Sequence, residues 1–310
     1  MSLESFIRAM PKVELHVHLG GSILPETLLL LARRNGADLP ARTLEELRDW
    51  YRFTDFAHFI DVYKRVQSCV TTPDDIELIA REFLAGQAKQ GIRYTEITHS
   101  ASRYDVPFRD QLKALNRAAD WALAELGVAS AVILDIPREF DAADGLEVAD
   151  WAIEGAENGV VALGLGGMET GNPPEKFRAA FDRAHAAGVA CVPHAGEVVG
   201  AESIWGALRH LHADRIQHGV RCLEDPDLVT ELRDRQIPLG VCVGSNIALG
   251  ICSTWQAHPL GELIDAGLLV TLSSDDPPMF NTTLTDEFLN LAEAMSWTAD
   301  DLERLVLNGV

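Results

Sequence analysis

The stretch Pro11-Lys12-Val13-Glu14-Leu15-His16-Val17-His18-Leu19-Gly20-Gly21-Ser22 decides how the rest of the chain is read. Val13, Leu15, Val17 and Leu19 fall on one parity; Glu14, His16 and His18 fall on the other. In a β-strand, residues two apart project to the same side. The alternation therefore predicts a strand over Val13–Leu19 that ends at Gly20-Gly21 and carries His16 and His18 side by side. Two imidazoles so placed can hold one metal ion, or can simply be polar residues on a half-buried strand.

Working outward, the same kind of segment recurs. Short strand candidates are expected at Ile92–Thr98, Ala129–Ile136, Val160–Leu165, Val189–Pro193, Arg215–Gln217, Ile237–Val243 and Leu268–Ser273, eight in all with the first. Amphipathic helices lie between most of them, as at Asp75–Gln90, Phe108–Leu126, Pro174–Ala187 and Asp225–Arg235, and glycines such as Gly91, Gly188 and Gly267 mark helix ends. Eight strand–helix units in a chain of 310 residues predict an α/β fold, a (β/α)8 TIM-type barrel. The first crossover, Ser22 to Gln90, is long enough to need several extra helices. No linker, repeat or low-complexity segment divides the chain, so 1–310 reads as one barrel domain. The runner-up, an open doubly wound sheet, lacks its glycine fingerprint: Gly164-Leu165-Gly166-Gly167 misses the third glycine and the acid beyond it.

The totals exclude several functions. A net charge of −21 repels phosphate backbones and anionic lipid, so neither nucleic acid nor a membrane surface is an expected partner. No run approaches the roughly 18 apolar residues of a membrane span, and no secretion signal is apparent. Five scattered cysteines without a Cys-x-x-Cys fit a reducing, cytoplasmic setting. A homo-oligomer is compatible with this composition.

In a barrel of this kind, catalytic groups gather at the C-terminal ends of the strands. Here the first strand ends in His16 and His18. The fifth leads into His194-Ala195-Gly196-Glu197, the sixth into Gln217-His218-Gly219, and the eighth into Ser273-Ser274-Asp275-Asp276-Pro277. Any one fragment is weak: a single histidine is as often structural, and Asp276 before a proline reads as a helix cap. Four at the same end of one architecture are a much stronger signal.

Taken together, Met10 to Ser22, His194 to Glu197, Arg215 to Val220 and Ser274 to Leu284 resemble the adenosine deaminase family of metal-dependent hydrolases, and Phe56 to Gln90 is similar to its helical segment before the second strand. The resemblance runs in order over nearly the whole chain. It implies that His16, His18, His194 and Asp275 ligate one Zn2+ per chain, a donor set that suits zinc chemically. It implies that Glu197 shuttles protons during attack on C6 of a 6-aminopurine, and that His218 orients the attacking oxygen. It further implies that Asp276 hydrogen-bonds purine N7 and that the Gly167 N–H meets N3, an approach that suits a residue without a side chain. Glu169 also fits the family's pattern and is given no role. The fourth strand, Val160–Gly167, has no lysine to bridge a second metal, which favours one ion over the two of some related amidohydrolases.

Two departures stand out. Adenosine deaminases proper usually carry Asp after His-x-His-Leu, where it meets the ribose 5′-hydroxyl; free-adenine deaminases usually carry Glu. Here the position is Gly20. Its bareness predicts open space for a larger 5′ substituent. Arg103, Lys64 or Arg65 would then meet an acidic one. The expected substrate is adenosine or a 5′-modified adenosine such as 6-amino-6-deoxyfutalosine, a menaquinone-pathway nucleoside; methylthioadenosine and 5′-deoxyadenosine are smaller candidates. Free adenine deamination, or another mononuclear zinc-barrel amidohydrolase, is the alternative. Second, family members usually continue past Leu307-Asn308-Gly309-Val310 with a further helix, so either a barrel closed differently or a sequence short of its natural end is expected. His99 is a candidate for the mouth of the barrel, and His258, His58, His185, His210 and His212 read as structural or solvated.

Overall fold

The computed structural model describes residues 2–310. Eight parallel strands occur in the predicted places: β1 Lys12–His18, β2 Ile92–His99, β3 Ala129–Pro137, β4 Val160–Gly166, β5 Ala190–Ala195, β6 Ile216–His218, β7 Leu239–Val241 and β8 Val270–Leu272. They follow one another around the sheet in sequence order, β1 to β8. The inner strands are near-continuous apolar runs, such as Ala131-Val132-Ile133-Leu134 of β3, because both faces of a parallel sheet are covered.

The seam between β8 and β1 closes in the ordinary order, contrary to the expectation of a different closure. Val17 and Asp275 form a parallel bridge. The Asp275 N–H donates to the His16 carbonyl at 3.1 Å, and the His18 N–H donates to the Asp275 carbonyl at 2.9 Å. Ser273 Oγ also accepts from the N–H groups of Leu15 and His16 at 3.3 and 3.2 Å. Barrel closure and the presentation of Asp275 are thus one event. Below the seam, the Asn308 side chain donates to the Val270 carbonyl at 2.8 Å.

The first crossover holds four helices: Pro25–Asn35, Leu44–Trp50, Phe56–Gln67 and Pro73–Lys89. The last begins at Pro73, ahead of the expected start. Thr72 and Asp75 form a capping box there, and a proline at the first helical position loses no hydrogen bond. The helix expected over Pro174–Ala187 divides into a 3-10 turn, Pro174–Phe177, and an α-helix, Arg178–Ala186. Pro173-Pro174 supplies no N–H there, and Phe177 departs from helical geometry (φ −105°, ψ 10°). Asp225 caps the Pro226–Arg235 helix by accepting from Asp227 and Leu228.

The main core lies between the barrel and its helices. A small separate cluster, Ile133, Ala162 and Val192, plugs the barrel interior from β3, β4 and β5. It floors the polar site above it. Among the described residues no helix is long and apolar enough to cross a membrane.

Candidate metal centre and active site

The four predicted ligands converge from β1, β5 and the segment after β8. His16 Nε2 and His18 Nε2 each lie 3.1 Å from His194 Nε2. Asp275 Oδ1 lies 3.5 Å from His16 Nε2 and 3.3 Å from His18 Nε2. All four side chains are buried. His16 Nδ1 is 2.8 Å from the Gly240 carbonyl, and His194 Nδ1 is 2.9 Å from the Leu165 carbonyl. A carbonyl only accepts, so both Nδ1 atoms carry the proton and both Nε2 atoms present lone pairs. Two lone pairs facing each other at 3.1 Å repel unless a cation lies between them. Ligands about 2.0–2.1 Å from a tetrahedral ion sit about 3.3 Å apart, which matches the spacing here. Burial also keeps the rings neutral, lowering His16 to about 3 and His18 to about 4. The donors therefore fit a single divalent cation.

Two of these loops are held in unusual backbone conformations. Asp275 and His218 both have φ of 65°, in the left-handed region that side-chain-bearing residues seldom occupy. Asp275 is fixed by the seam and by Ser245, whose hydroxyl donates to Oδ2 at 2.7 Å. Its neighbour Ser274 is fixed by Glu14, which accepts from the Ser274 N–H at 3.0 Å and from its hydroxyl at 2.6 Å.

Glu197 and His218 stand beside the ligands. His218 Nε2 is 3.5 Å from Glu197 Oε1 and 4.0 Å from Asp275 Oδ2. Burial, then the Asp275 and Glu169 charges, push the Glu197 carboxyl well above the ordinary range, the direction a general acid requires. Asp276 is raised in the same way by burial and by Asp275. Its Oδ1 is buried without a hydrogen-bond partner.

These groups line one narrow cavity with Ser100, Arg103, Asp135, Gly166 and Gly167, roofed by Phe56, Phe59, Ile60 and Tyr63 of the Phe56–Gln67 helix. The enclosed volume is about 40 Å³, and a wider cleft of about 950 Å³ shares Phe56 and Glu197 with it. Gly167 has φ of 88°, and a Cβ there would lie 2.7 Å from Glu139 Oε2. Gly20 is a different matter. It is buried, and a Cβ at this position would meet the Tyr63 hydroxyl at 2.9 Å and Gln67 Cγ at 3.0 Å. The space expected to open there is filled from the neighbouring helix.

Arg103 donates to Glu139 at 2.5 Å and Lys64 pairs with the same carboxylate at 3.0 Å. Arg103 thus reaches the cavity wall, whereas Arg65 lies exposed on the helix. His99 stays out of the cavity: its Nε2 pairs with Gln111 at 2.6 Å and its ring stacks on Tyr104. His258 is structural, bonded to Asn246 at 2.9 Å.

Three buried residues of this region have roles the sequence did not assign: Glu169, named from the family's pattern alone, and Arg138 and Asp135, not singled out. Glu169 accepts from the N–H groups of Gly196 (2.7 Å), Val198 (2.8 Å) and Val199 (2.8 Å), which holds the loop bearing Glu197. Arg138 donates to the carbonyls of His194 and Asn172, each at 2.6 Å. Asp135 faces the cavity from β3, its carboxyl pushed up to about 8 chiefly by burial. A lone acid near the C-terminal end of an apolar strand was the available signal for Asp135. The family pattern marked Glu169 without a role, and nothing local marked Arg138.

Comparison with known proteins follows the same lines. The profile described as adenosine deaminase matches residues 11–310. An aminodeoxyfutalosine deaminase of Streptomyces avermitilis is 41% identical over 317 aligned residues, covering 99% of this chain and 87% of that protein. The crystal structure of an adenine deaminase from Arthrobacter aurescens superposes with a TM-score of 0.92 at 35% identity, covering 97% of this chain and 92% of that one. An amidohydrolase from Burkholderia ambifaria, solved with bound zinc, gives 0.90 at 27% identity, covering 99% and 86%.

Proposed function

Since the chain belongs to the adenosine deaminase family and is a hydrolytic deaminase, we propose that it is a zinc enzyme that removes the 6-amino group of a 5′-extended adenosine. The observation that carries the reading is the convergence of four metal donors with Glu197, His218 and Asp276 on one buried cavity. When bound by His16, His18, His194 and Asp275, zinc supplies Lewis acidity that makes water acidic near neutral pH.

The protein's own groups do the rest. Glu197 enters protonated and gives its proton to N1 as water adds to C6, which relieves the charge that would otherwise build on the ring. The carboxylate so formed takes the proton the water releases and returns it to the amino nitrogen, which leaves as ammonia. The proton left on the C6 oxygen returns to Glu197 as the carbonyl forms, so Glu197 ends protonated as it began and the sum is one water consumed, with N1–H, the C6 carbonyl and ammonia gained. Neutral His218, its Nε2 between Glu197 and Asp275, orients the incoming oxygen. Asp276, its carboxyl raised by burial and by Asp275 and its Oδ1 unpartnered, would share a proton with N7 and so fix which edge of the purine faces the centre. Gly167 allows the ring edge to approach the backbone.

For the substrate, the absence of both Asp and Glu at Gly20 argues against plain adenosine and free adenine. Tyr63 and Gln67 take up the vacated position, a neutral surface that tolerates an altered 5′ end. Arg103 and Lys64, now bridged by Glu139, stand ready to meet an acidic substituent. The relatedness to aminodeoxyfutalosine deaminase supports that nucleoside, and with it a place in menaquinone biosynthesis in the cytoplasm. Ammonia release from aminodeoxyfutalosine, methylthioadenosine, adenosine and adenine tests this. We expect kcat/KM to be highest for aminodeoxyfutalosine and to fall at least tenfold for it alone in Arg103→Met. Highest activity on adenine would overturn the assignment.

A further inference from the structure

Asp135 has no part in the chemistry above, yet it is built into the cavity. It leaves β3 between β1 and β5, the strands that deliver the histidines, and it is only 3% exposed. Its Oδ1 has no hydrogen-bond partner. Neither nearby guanidinium bonds it: Arg103 pairs with Glu139 and Arg138 with two main-chain carbonyls. A buried carboxylate without a partner costs stability, so its retention points to a ligand that completes it.

The neighbouring strand makes room for it. A Cβ on Gly164 would lie 2.6 Å from Asp135 Oδ1, and one on Gly166 would collide with Oδ2. The two glycines, two apart on β4, keep both oxygens clear. The cavity is also divided by chemistry. Phe56, Phe59 and Ile60 form an apolar roof suited to a ring face, while Ser100, Arg103 and Asp135 form a polar wall. A planar base belongs under the roof. The wall needs a partner rich in hydroxyls, and a carboxyl group whose Oδ1 has no partner matches a vicinal diol, whose hydroxyls would favour its ionised form.

We propose that Asp135 is a specificity-determining residue that accepts the 2′- and 3′-hydroxyl hydrogens of the substrate's ribose, so the site selects a ribonucleoside over free base and over deoxy sugars. The inference rests on the deamination reading and deepens it.

The experiment compares wild type, Asp135→Ala and Asp135→Asn, each checked for metal content, on adenosine, 2′,3′-dideoxyadenosine and adenine. A site built to bond a hydroxyl rejects its absence strongly, so wild type should favour adenosine over the dideoxy analogue by at least about 100-fold. In Asp135→Ala this preference should shrink to about fivefold or less, entirely through loss on adenosine, with the dideoxy analogue and adenine unchanged within about threefold. Asp135→Asn should lie between. Both variants should melt no lower than wild type, because an unpaired buried acid has been removed. Equal losses on all three substrates with a lower melting point would make Asp135 structural and overturn the proposal. Selective loss on adenine would overturn it in favour of a bond to the ring N9–H. Ammonia release from no 6-aminopurine would instead sink the deamination reading. Calorimetric binding of inosine and hypoxanthine still decides the role of Asp135 then, a loss of about tenfold or more for inosine alone being the expected result and equal affinities for wild type and Asp135→Ala the refuting one.

Discussion

Glu169→Gln tests the device that holds the loop bearing Glu197, the proposed proton shuttle. The carboxylate receives three main-chain N–H groups from the loop around Glu197, one on Oε1 and two on Oε2. Glutamine has the same shape but only one acceptor oxygen. Whichever way it turns, at least one N–H faces an amide NH2 group. Leaving a buried donor unpartnered costs about 1–3 kcal/mol, and exchanging a charged acceptor for a neutral one costs about 1 kcal/mol for each remaining bond. The expected loss is about 3–5 kcal/mol, partly taken up by local opening of the loop. At about 2 °C per kcal/mol for a large domain, the melting temperature should fall by about 4–10 °C. Metal content should hold, because Glu169 bonds none of the four ligands' side chains. The turnover number should fall by about 10–100-fold, since a displaced general acid loses most of its contribution of about 10²–10⁴. Thermal melts, elemental analysis and ammonia release on one preparation supply the three readouts. A melting point within about 2 °C of wild type together with kcat within a factor of two would refute the reasoning.

Two further outcomes are expected. Purified protein should carry one zinc per chain and His194→Ala should lose it, as judged by elemental analysis; two ions per chain, or an undiminished ion in the variant, would contradict the single centre. Glu287 accepts from the Gly244 N–H at 2.9 Å and its carboxyl is raised to about 8 by burial, against about 4.5 in the unfolded chain. The folded state therefore holds a proton that the unfolded state gives up between these values, and stability should decline as pH rises from about 5 to 8. The contribution is on the order of 5 kcal/mol at most. Glu287→Gln should flatten the decline in melts taken across that range, and an unchanged slope would remove Glu287 from the explanation.

Much of this molecule was legible because its signals are local. Most of the eight strands are short β-patterned segments bounded by turns, and the rule that barrel sites gather at strand ends joins His16, His18, His194, Glu197, His218 and Asp275 into one set from the sequence alone. What escaped notice depends on contacts between segments far apart in the chain. Glu169 earns its place only through N–H groups about thirty residues away. The filling of the Gly20 position comes from Tyr63 and Gln67, on a helix whose docking no local pattern reveals. Gly164 and Gly166 read as a failed nucleotide fingerprint until the strand pairing set them against Asp135. The capping box at Thr72 and the two prolines before Lys176 moved helix boundaries by a few residues without moving the site.

The central claim is that Glu197, beside a four-donor metal centre, moves the protons of a hydrolytic deamination. The most direct measurement is kcat for ammonia release by Glu197→Gln, on protein shown to retain its metal. The substitution keeps the shape and removes the transferable proton, so a loss of at least about 100-fold is predicted; retention of more than about a tenth of the wild-type rate would contradict it.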